Sequence, residues 1–492
     1  MWTDILLAGC VVLLIIIYKS IVYLPPKRTY ELMKKLPGPR GLPLIGMGLD
    51  LVSVPQEDLF DFLHKLSLLP GRVTAMWVAG VPVVMLWEPE DLEVLLKSKE
   101  NIKKGNEYRF FRIWLNNGLL VSSGEKWHKR RKLLTPSFHF RILESSAECM
   151  NRNARLFVEH IAGMKGEPFD IHNLVNCCTL DILCEAAMGV SLHTMNGENP
   201  GYVEAICSFG SATVQRVKNP LYRTDWMFRL FPLGKKIDEH MKYLHGLSEK
   251  IIAERKCKKS TYYDGSKQAF LDSLIELQSE DANFTDADIK EEVHTFLTGG
   301  QHTLASALGF SIYMFGLHPE IQEVAYKEQR DIFGYSSRDV TAEELPKMKY
   351  LEKVIKETLR LFPSVPYMSR KLSQDVILKD ETIIPQGANL VMIPFLIHRN
   401  PQAFPDPEVF NPERFTSDKS AERHPFSYIP FSAGPKNCIG QKYAMMELKI
   451  VLSTLLRSMK IVSLTDRSTL KYIPSIVLEP SKPLIIKFIQ RH

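Results

Sequence analysis

The chain has no C-x-x-C pair, and its eight cysteines, at positions 10, 149, 177, 178, 184, 207, 257 and 438, form no even ladder. That pattern speaks against a secreted disulfide framework and fits free thiols in a reducing compartment. Internal repeats and low-complexity tracts are also missing, so nothing in composition divides the 492 residues, although length alone would allow two to four domains. The charge imbalance is small, +6 net, which is too little to argue nucleic-acid binding. Positive charge is scarce at the extreme amino terminus, where only the α-amino group precedes a long apolar run. A cleaved signal peptide would want a charged segment there, so an uncleaved anchor is the better reading.

That run, Ile5 to Leu24, is apolar apart from Gly9, Tyr18, Lys19, Ser20 and Tyr23, and about 20 helical residues span roughly 30 Å of hydrocarbon. Lys27, Arg28, Lys34, Lys35 and Arg40 follow it, whereas only Asp4 precedes it. The positive-inside rule then keeps the body cytosolic. Pro25-Pro26 and Leu36-Pro37-Gly38-Pro39-Arg40 read as a stiff spacer between membrane and globule. The expected organisation is an anchor over 1–24, a proline-rich hinge over 25–45 and one catalytic domain over 46–492. With 45% hydrophobic residues, that domain can bury a large core.

Near the carboxyl end, Phe431-Ser432-Ala433-Gly434-Pro435-Lys436-Asn437-Cys438-Ile439-Gly440 places a lone cysteine beside an aromatic residue and two glycines. The spacing suits a thiolate bound to haem iron, the axial ligand that favours O–O cleavage. Gly434 permits a turn that a side chain would obstruct, and Gly440 lets backbone approach a flat macrocycle. A helix is expected to follow at once, its N-terminal N–H groups favouring the anionic sulfur, while Phe431 covers that sulfur against water. A buried structural cysteine is the plainer alternative, and the combined spacing argues against it.

Along the chain, Arg72 to Trp87 is β-rich and turns at Gly80, a hairpin signal. From Trp127 to about Gly334 the pattern is mainly helical, with a polar break over Lys256 to Lys267. Thr285-Asp286-Ala287-Asp288 resembles a capping box, and a proline-free periodic run to Gly316 predicts one helix of about 32 residues, near 48 Å. A second box, Thr341-Ala342-Glu343-Glu344, precedes the helix bearing Glu357. Short strands are expected over Val376 to Leu396 and beyond Tyr472, with a proline-rich meander from Pro405 to Phe415 between them. The fold class is mainly α with small β-sheets.

These features, in this order along nearly the whole chain, resemble the cytochrome P-450 family, above all its microsomal clan of fatty-acid ω-hydroxylases and related insect enzymes. The resemblance implies haem between a helical subdomain and a smaller β subdomain. It makes Glu357, Arg360 and Arg414 a buried ionic triad locking the meander behind the cysteine loop. Trp127 and Arg131, four residues apart on one helix face, match the family's W-x-x-x-R motif, and Arg370 matches another propionate-binding arginine. Lys436 stands where the family usually has arginine, keeping the charge but losing the bidentate fork.

In the long helix the family pattern A/G-G-x-D/E-T reads here as Gly299-Gly300-Gln301-His302-Thr303. The resemblance gives Thr303 the hydroxyl that relays a proton to dioxygen. His302 replaces the usual acid: its imidazole either joins the relay or points away and satisfies a core hydrogen bond. Gly299 stands where the clan commonly has a glutamate esterified to haem, so haem b is expected to be non-covalent here. Substrate contacts are implied for Phe110, Phe111, Phe209, Trp226, Val365 and Tyr367. Lys126, Lys129, Arg130, Lys132 and Lys442 form a basic patch, either a solvated face or a docking surface.

The function expected is hydroxylation of a lipophilic small molecule (fatty acid, hormone, semiochemical or xenobiotic) using O₂ and NADPH-derived electrons. The implied partners are NADPH–cytochrome P-450 reductase, cytochrome b5 and membrane lipid, with no nucleic acid, at the endoplasmic reticulum membrane. The rivals are a haem-thiolate isomerase or dehydratase of lipid peroxides, and a non-catalytic haem-based ligand binder.

Overall fold

The hairpin expected between Arg72 and Trp87 forms as β1 (Val73–Val78) and β2 (Val81–Leu86), in register from Val73 opposite Leu86 to Val78 opposite Val81. Only Ala79 and Gly80 remain for the turn, and both have positive φ, 49° and 78°, the geometry that matches strand twist in a two-residue loop. The chain is described here by a computed structural model covering residues 25–42, 45–138, 140–261 and 269–491, without the side chains of 140–145 and 258–261. The anchor expected over 1–24 lies outside the described residues. Among the described residues, no helix is long and apolar enough to cross a membrane.

Helices form most of the structure. Those that build the site are α1 (Gly124–Leu134), α2 (Phe140–Gly163), α3 (His172–Leu183), α4 (Gly201–Lys218), α5 (Asp286–Leu297), α6 (Thr303–Leu317), α7 (Lys349–Leu361) and α8 (Gln441–Ser458). The long helix starts where its cap predicts: Asp288 N–H reaches Thr285 Oγ1, and Thr285 N–H donates to Asp288 Oδ2 at 2.9 Å. It is continuous through α5 and α6 but not uniform, because a π turn at Thr298–His302 joins them. Gly299 and Gly300 lie in that turn, and the Thr298 and Thr303 hydroxyls bond back to the carbonyls of His294 and Gly299, which favours a local opening.

Two expectations shift. The Thr341–Glu344 box does form, with Thr341 N–H donating to Glu344 at 2.9 Å, yet it closes a turn rather than starting α7. Pro346 has no N–H to donate, and the helix begins at Lys349. The helix Pro232–Thr261 continues past Lys256, where the polar break was expected to begin, and 262–267 lie outside the described residues.

Beyond α7, β3 (Met368–Lys371) and β4 (Asn389–Met392) complete a four-stranded sheet in the order β1-β2-β4-β3, with β2 and β4 parallel. Its alternating residues serve two cores. Val73, Ala75, Val84, Leu86 and Leu390 face one apolar cluster, while Met76, Val78 and Met85 face the larger helical one. The tail supplies β5 (Met459–Ser463), the hairpin of β6 (Tyr472–Pro474) and β7 (Leu478–Pro480), and β8 (Ile485–Gln490), which pairs with β5. Cys178 and Cys184 are wholly buried and Cys177 nearly so, small core residues as expected.

Candidate functional site

The cysteine loop is held in an exacting shape. Cys438 N–H donates to Phe431 O at 2.8 Å, and Gly434 adopts φ +70°, where an added Cβ would meet Leu96 O at 1.8 Å. No other residue fits there. The Cys438 side chain is accessible, but its surface faces an internal cavity rather than the outside. Burial raises its thiol pKa, while the Gly440 N–H and the Arg131 charge pull it back down. α8 begins at Gln441 and adds its N-terminal dipole. An added Cβ on Gly440 would lie 3.9 Å from the sulfur with nothing closer, so open space flanks Sγ at this point.

The cavity has a volume of about 300 Å³, and Phe431, Trp127, Arg131, Lys436 and Gly440 line it together with Cys438. Arg131 is anchored on Asn437, to the backbone O at 2.9 Å and to Oδ1 at 2.8 Å. Lys436 Nζ donates to Ser122 O at 2.6 Å and stands 4.8 Å above the Trp127 ring. Burial, reinforced by Arg370, pushes Lys436 down to about 7. Arg370 itself is buried in β3 and lies behind the lining, donating to Ser369 O at 3.2 Å. The sequence reading missed Lys104, which does line the cavity. Burial and the charges of Arg370 and Lys436 hold its pKa well below the usual lysine range.

Three basic side chains therefore line one cavity with Arg370 behind them, and no aspartate or glutamate is among its described lining residues. Basic groups whose charged form burial disfavours, with no acid beside them, call for anions. A flat macrocycle with two carboxylates and a metal awaiting sulfur satisfies it, so the residues present fit haem.

Gly299, Gly300 and Thr303 bring the π turn to the same cavity. Thr303 Oγ1 donates to Gly299 O at 2.7 Å, and Ser364 Oγ fixes the Thr303 carbonyl at 2.8 Å. At Gly299 an added Cβ would meet nothing within 4 Å, so glycine leaves room where a side chain would project. His302 does not reach the cavity. Its ring is buried, with Nε2 3.7 Å from Glu479 Oε1, and burial lowers its pKa to about 3. Gln301 turns away as well, donating to Asn176 Oδ1 at 2.9 Å.

On α7, Arg360 grips Glu357 with two parallel bonds of 2.7 and 2.8 Å, and Arg414 Nε stands 3.4 Å from Glu357 Oε1. Asn411 N–H adds a bond of 2.8 Å to the same oxygen, while Arg360 reaches the carbonyls of His398 and Val409. The three charges are thus joined, and they tie the meander to α7.

Of the six expected substrate contacts, Phe111, Val365 and Tyr367 line this cavity. Phe110 lines a second one of about 750 Å³, which shares Tyr367 with the first and carries Arg109, Lys218, Arg223 and Lys371, with Glu107, Asn106 and Asn389, among apolar residues. Phe209 is core, set edge-on to Phe111 and Trp114, and Trp226 lies on the surface. In the basic patch, Lys129, Lys132 and Lys442 are exposed. Arg130 is not part of it, being buried and paired with Asp288.

A mainly helical fold enclosing this cation-ringed cavity and its cysteine is that of a haem monooxygenase. The chain belongs to the cytochrome P-450 family, whose profile matches residues 36–488. It is 38% identical to cytochrome P-450 4V2 of Rattus norvegicus, over 99% of this chain and 95% of the relative. Cytochrome P-450 4c3 of Drosophila melanogaster is 36% identical over 99% and 94%, and cytochrome P-450 4c21 of Blattella germanica 41% over 92% and 93%. The likeness to both a mammalian and two insect proteins agrees with the clan that the motifs suggested.

Proposed function

We propose that this oxidoreductase hydroxylates a lipophilic small molecule with O₂ and electrons from NADPH, at the cytosolic face of the endoplasmic reticulum. The observation that supports it most is the meeting of Cys438, Thr303 and buried basic side chains on one cavity whose other walls are mostly apolar. Haem b, bound without a covalent link, supplies oxygen binding and O–O cleavage, with Cys438 as the thiolate donor that favours cleavage. Trp127, Arg131, Lys436 and Lys104 would hold the propionates, with Arg370 acting from behind. Phe431 keeps water from the sulfur. Thr303 holds a proton on Oγ1 and, by turning from the Gly299 carbonyl, presents it to the cavity. His302 supports the turn from outside.

The outer cavity narrows the guest. Arg109 and Arg223 lie together there, Arg109 donating to the Arg223 carbonyl at 3.1 Å, and burial then neighbouring Arg109 lower Arg223 to about 10. An elongated molecule with an anionic end, as a fatty acid has, would neutralise them while its apolar end enters the inner cavity. Leu49, Val52, Leu221, Trp226 and Leu230 are exposed on elements around that outer cavity, a surface suited to membrane lipid. The anchor at 1–24 and hinge at 25–45 would hold the domain 46–492 there. Electrons would come from NADPH–cytochrome P-450 reductase, with cytochrome b5 as a second donor.

The full chain reconstituted with reductase in lipid vesicles tests this. NADPH consumption should rise with a long-chain fatty acid and yield its hydroxylated product. Cys438→Ser should lose both the product and the red-shifted Soret band of the reduced carbon monoxide complex. Product formation without NADPH would make the protein an isomerase; spectral binding with neither NADPH use nor product would make it a ligand binder.

A further inference from the structure

Off the cavity, behind the π turn, three side chains from distant elements converge: Cys207 of α4, His302 of the turn and Glu479 of β7. Their donor atoms all lie within 4.8 Å of one another. The group is poorly satisfied by the protein itself. His302 Nδ1 and Glu479 Oε1 are buried with no hydrogen-bond partner, and leaving such atoms unpaired is costly. Burial keeps the set uncharged, raising the Cys207 thiol to about 12 and the Glu479 carboxyl to about 7 and lowering His302 to about 3. His172, the other titratable group acting on His302, is likewise lowered by burial.

We propose that Cys207, His302 and Glu479 form a zinc site. One sulfur, one imidazole nitrogen and one carboxylate oxygen suit Zn²⁺, whereas calcium and magnesium take oxygen alone. Three protein ligands leave a fourth position for water. Binding replaces the proton on Cys207 Sγ and that on Glu479, so Zn²⁺ enters, up to two H⁺ leave, and the complex with thiolate, carboxylate and neutral imidazole carries no net charge. A neutral complex is what a buried site tolerates best. The ligands must close by about 1 Å to reach tetrahedral spacing, within the reach of the Cys207 and Glu479 torsions.

The site would be regulatory. α4 walls the outer cavity through Val214 and Val217, the β6–β7 hairpin reaches the inner cavity through Ile476, and Thr303 directly follows His302 where the turn meets α6. Zinc would fasten these three to one another.

The test reads metal and not turnover. Haem-loaded full-length protein, stripped of loose metal by a chelator, is dialysed against micromolar zinc, and zinc per haem is counted for wild type, Cys207→Ala and Glu479→Gln. Zinc on the surface is common to all three, so the site is the difference: one zinc per chain, lost in both variants. At pH 7, calorimetry in buffers of differing ionisation heat should show between one and two protons released per zinc, one from Cys207 and a fraction from Glu479. An unchanged reduced carbon monoxide spectrum marks a folded variant, and if Cys207→Ala does not fold, Glu479→Gln decides alone. Equal zinc content in wild type and Glu479→Gln overturns the proposal.

Discussion

Glu357 on α7 and Glu292 on α5 are both wholly buried carboxylates beside arginines, yet their surroundings differ. Arg360 meets Glu357 edge to edge, and the Asn411 N–H takes up further capacity on one oxygen. Glu292 accepts one bond, from Leu119 N–H at 3.1 Å, while its other oxygen stands 3.9 Å from Arg130 Nε without a hydrogen bond. Arg130 is engaged elsewhere, on Asp288 and over the Phe284 ring at 4.4 Å. Burial consequently pushes Glu292 up to about 7. An arginine nearby is not enough: a buried carboxylate needs the fork aligned on it to offset the loss of water.

The sharpest way to break this comparison is Glu357→Ala. Arg360 and Arg414 would be left buried without their acid, a loss of roughly 3–5 kcal/mol, in the element that braces the meander leading to Cys438. The variant is expected to incorporate almost no haem, read as disappearance of the reduced carbon monoxide band. Wild-type haem content would show that the triad does not support the cysteine loop.

Glu292→Gln should do the reverse, and only at higher pH. A carboxyl raised in the folded state binds more protons there than in the unfolded chain between about pH 4.5 and 7. Stability therefore falls as pH rises through that window and stays low above it. At about 1.4 kcal/mol per pH unit, the full penalty is of order 3 kcal/mol, and glutamine removes it while still accepting from Leu119. Denaturation midpoints at pH 5 and pH 8 should show the variant gaining on wild type only at the higher pH. A pH-independent difference would mean that Glu292 ionises freely.

These two glutamates also show what was legible beforehand. Glu357 lies three residues before Arg360 on one helix face, a spacing common on solvated helices, and it was the resemblance that joined both to Arg414 as a buried triad. Glu292 sits in an ordinary run of charges, and its partners come from residues near 119 and 130, a contact that no short-range period encodes. The same holds for Cys207, His302 and Glu479, and for Lys104, whose place on the cavity wall follows from its bridge to Arg370 on β3. That strand was itself unforeseen, being four residues long with a serine, an arginine and a lysine in it. The glycine pair at Gly299-Gly300 was visible in the family pattern, and the opening follows from it because glycine acts locally. The direction of His302 was left open between a relay and a core contact, because the π turn decides which side chains face the cavity.

The smallest expected effect concerns the exposed counterpart of these buried pairs. Lys129 and Glu125 lie one helical turn apart at 2.7 Å, both largely in solvent, where pairing contributes little because water already solvates each partner. Lys129→Glu should therefore leave folding and haem content unchanged. If the exposed lysines of α1 and Lys442 guide an acidic reductase surface, the variant should slow NADPH-driven turnover a few-fold and more so at low salt, where screening is weak. Turnover driven by added peroxide bypasses the partner and should be spared. Equal loss in both assays would place Lys129 among residues that support the haem pocket, and no loss in either would move the docking surface elsewhere.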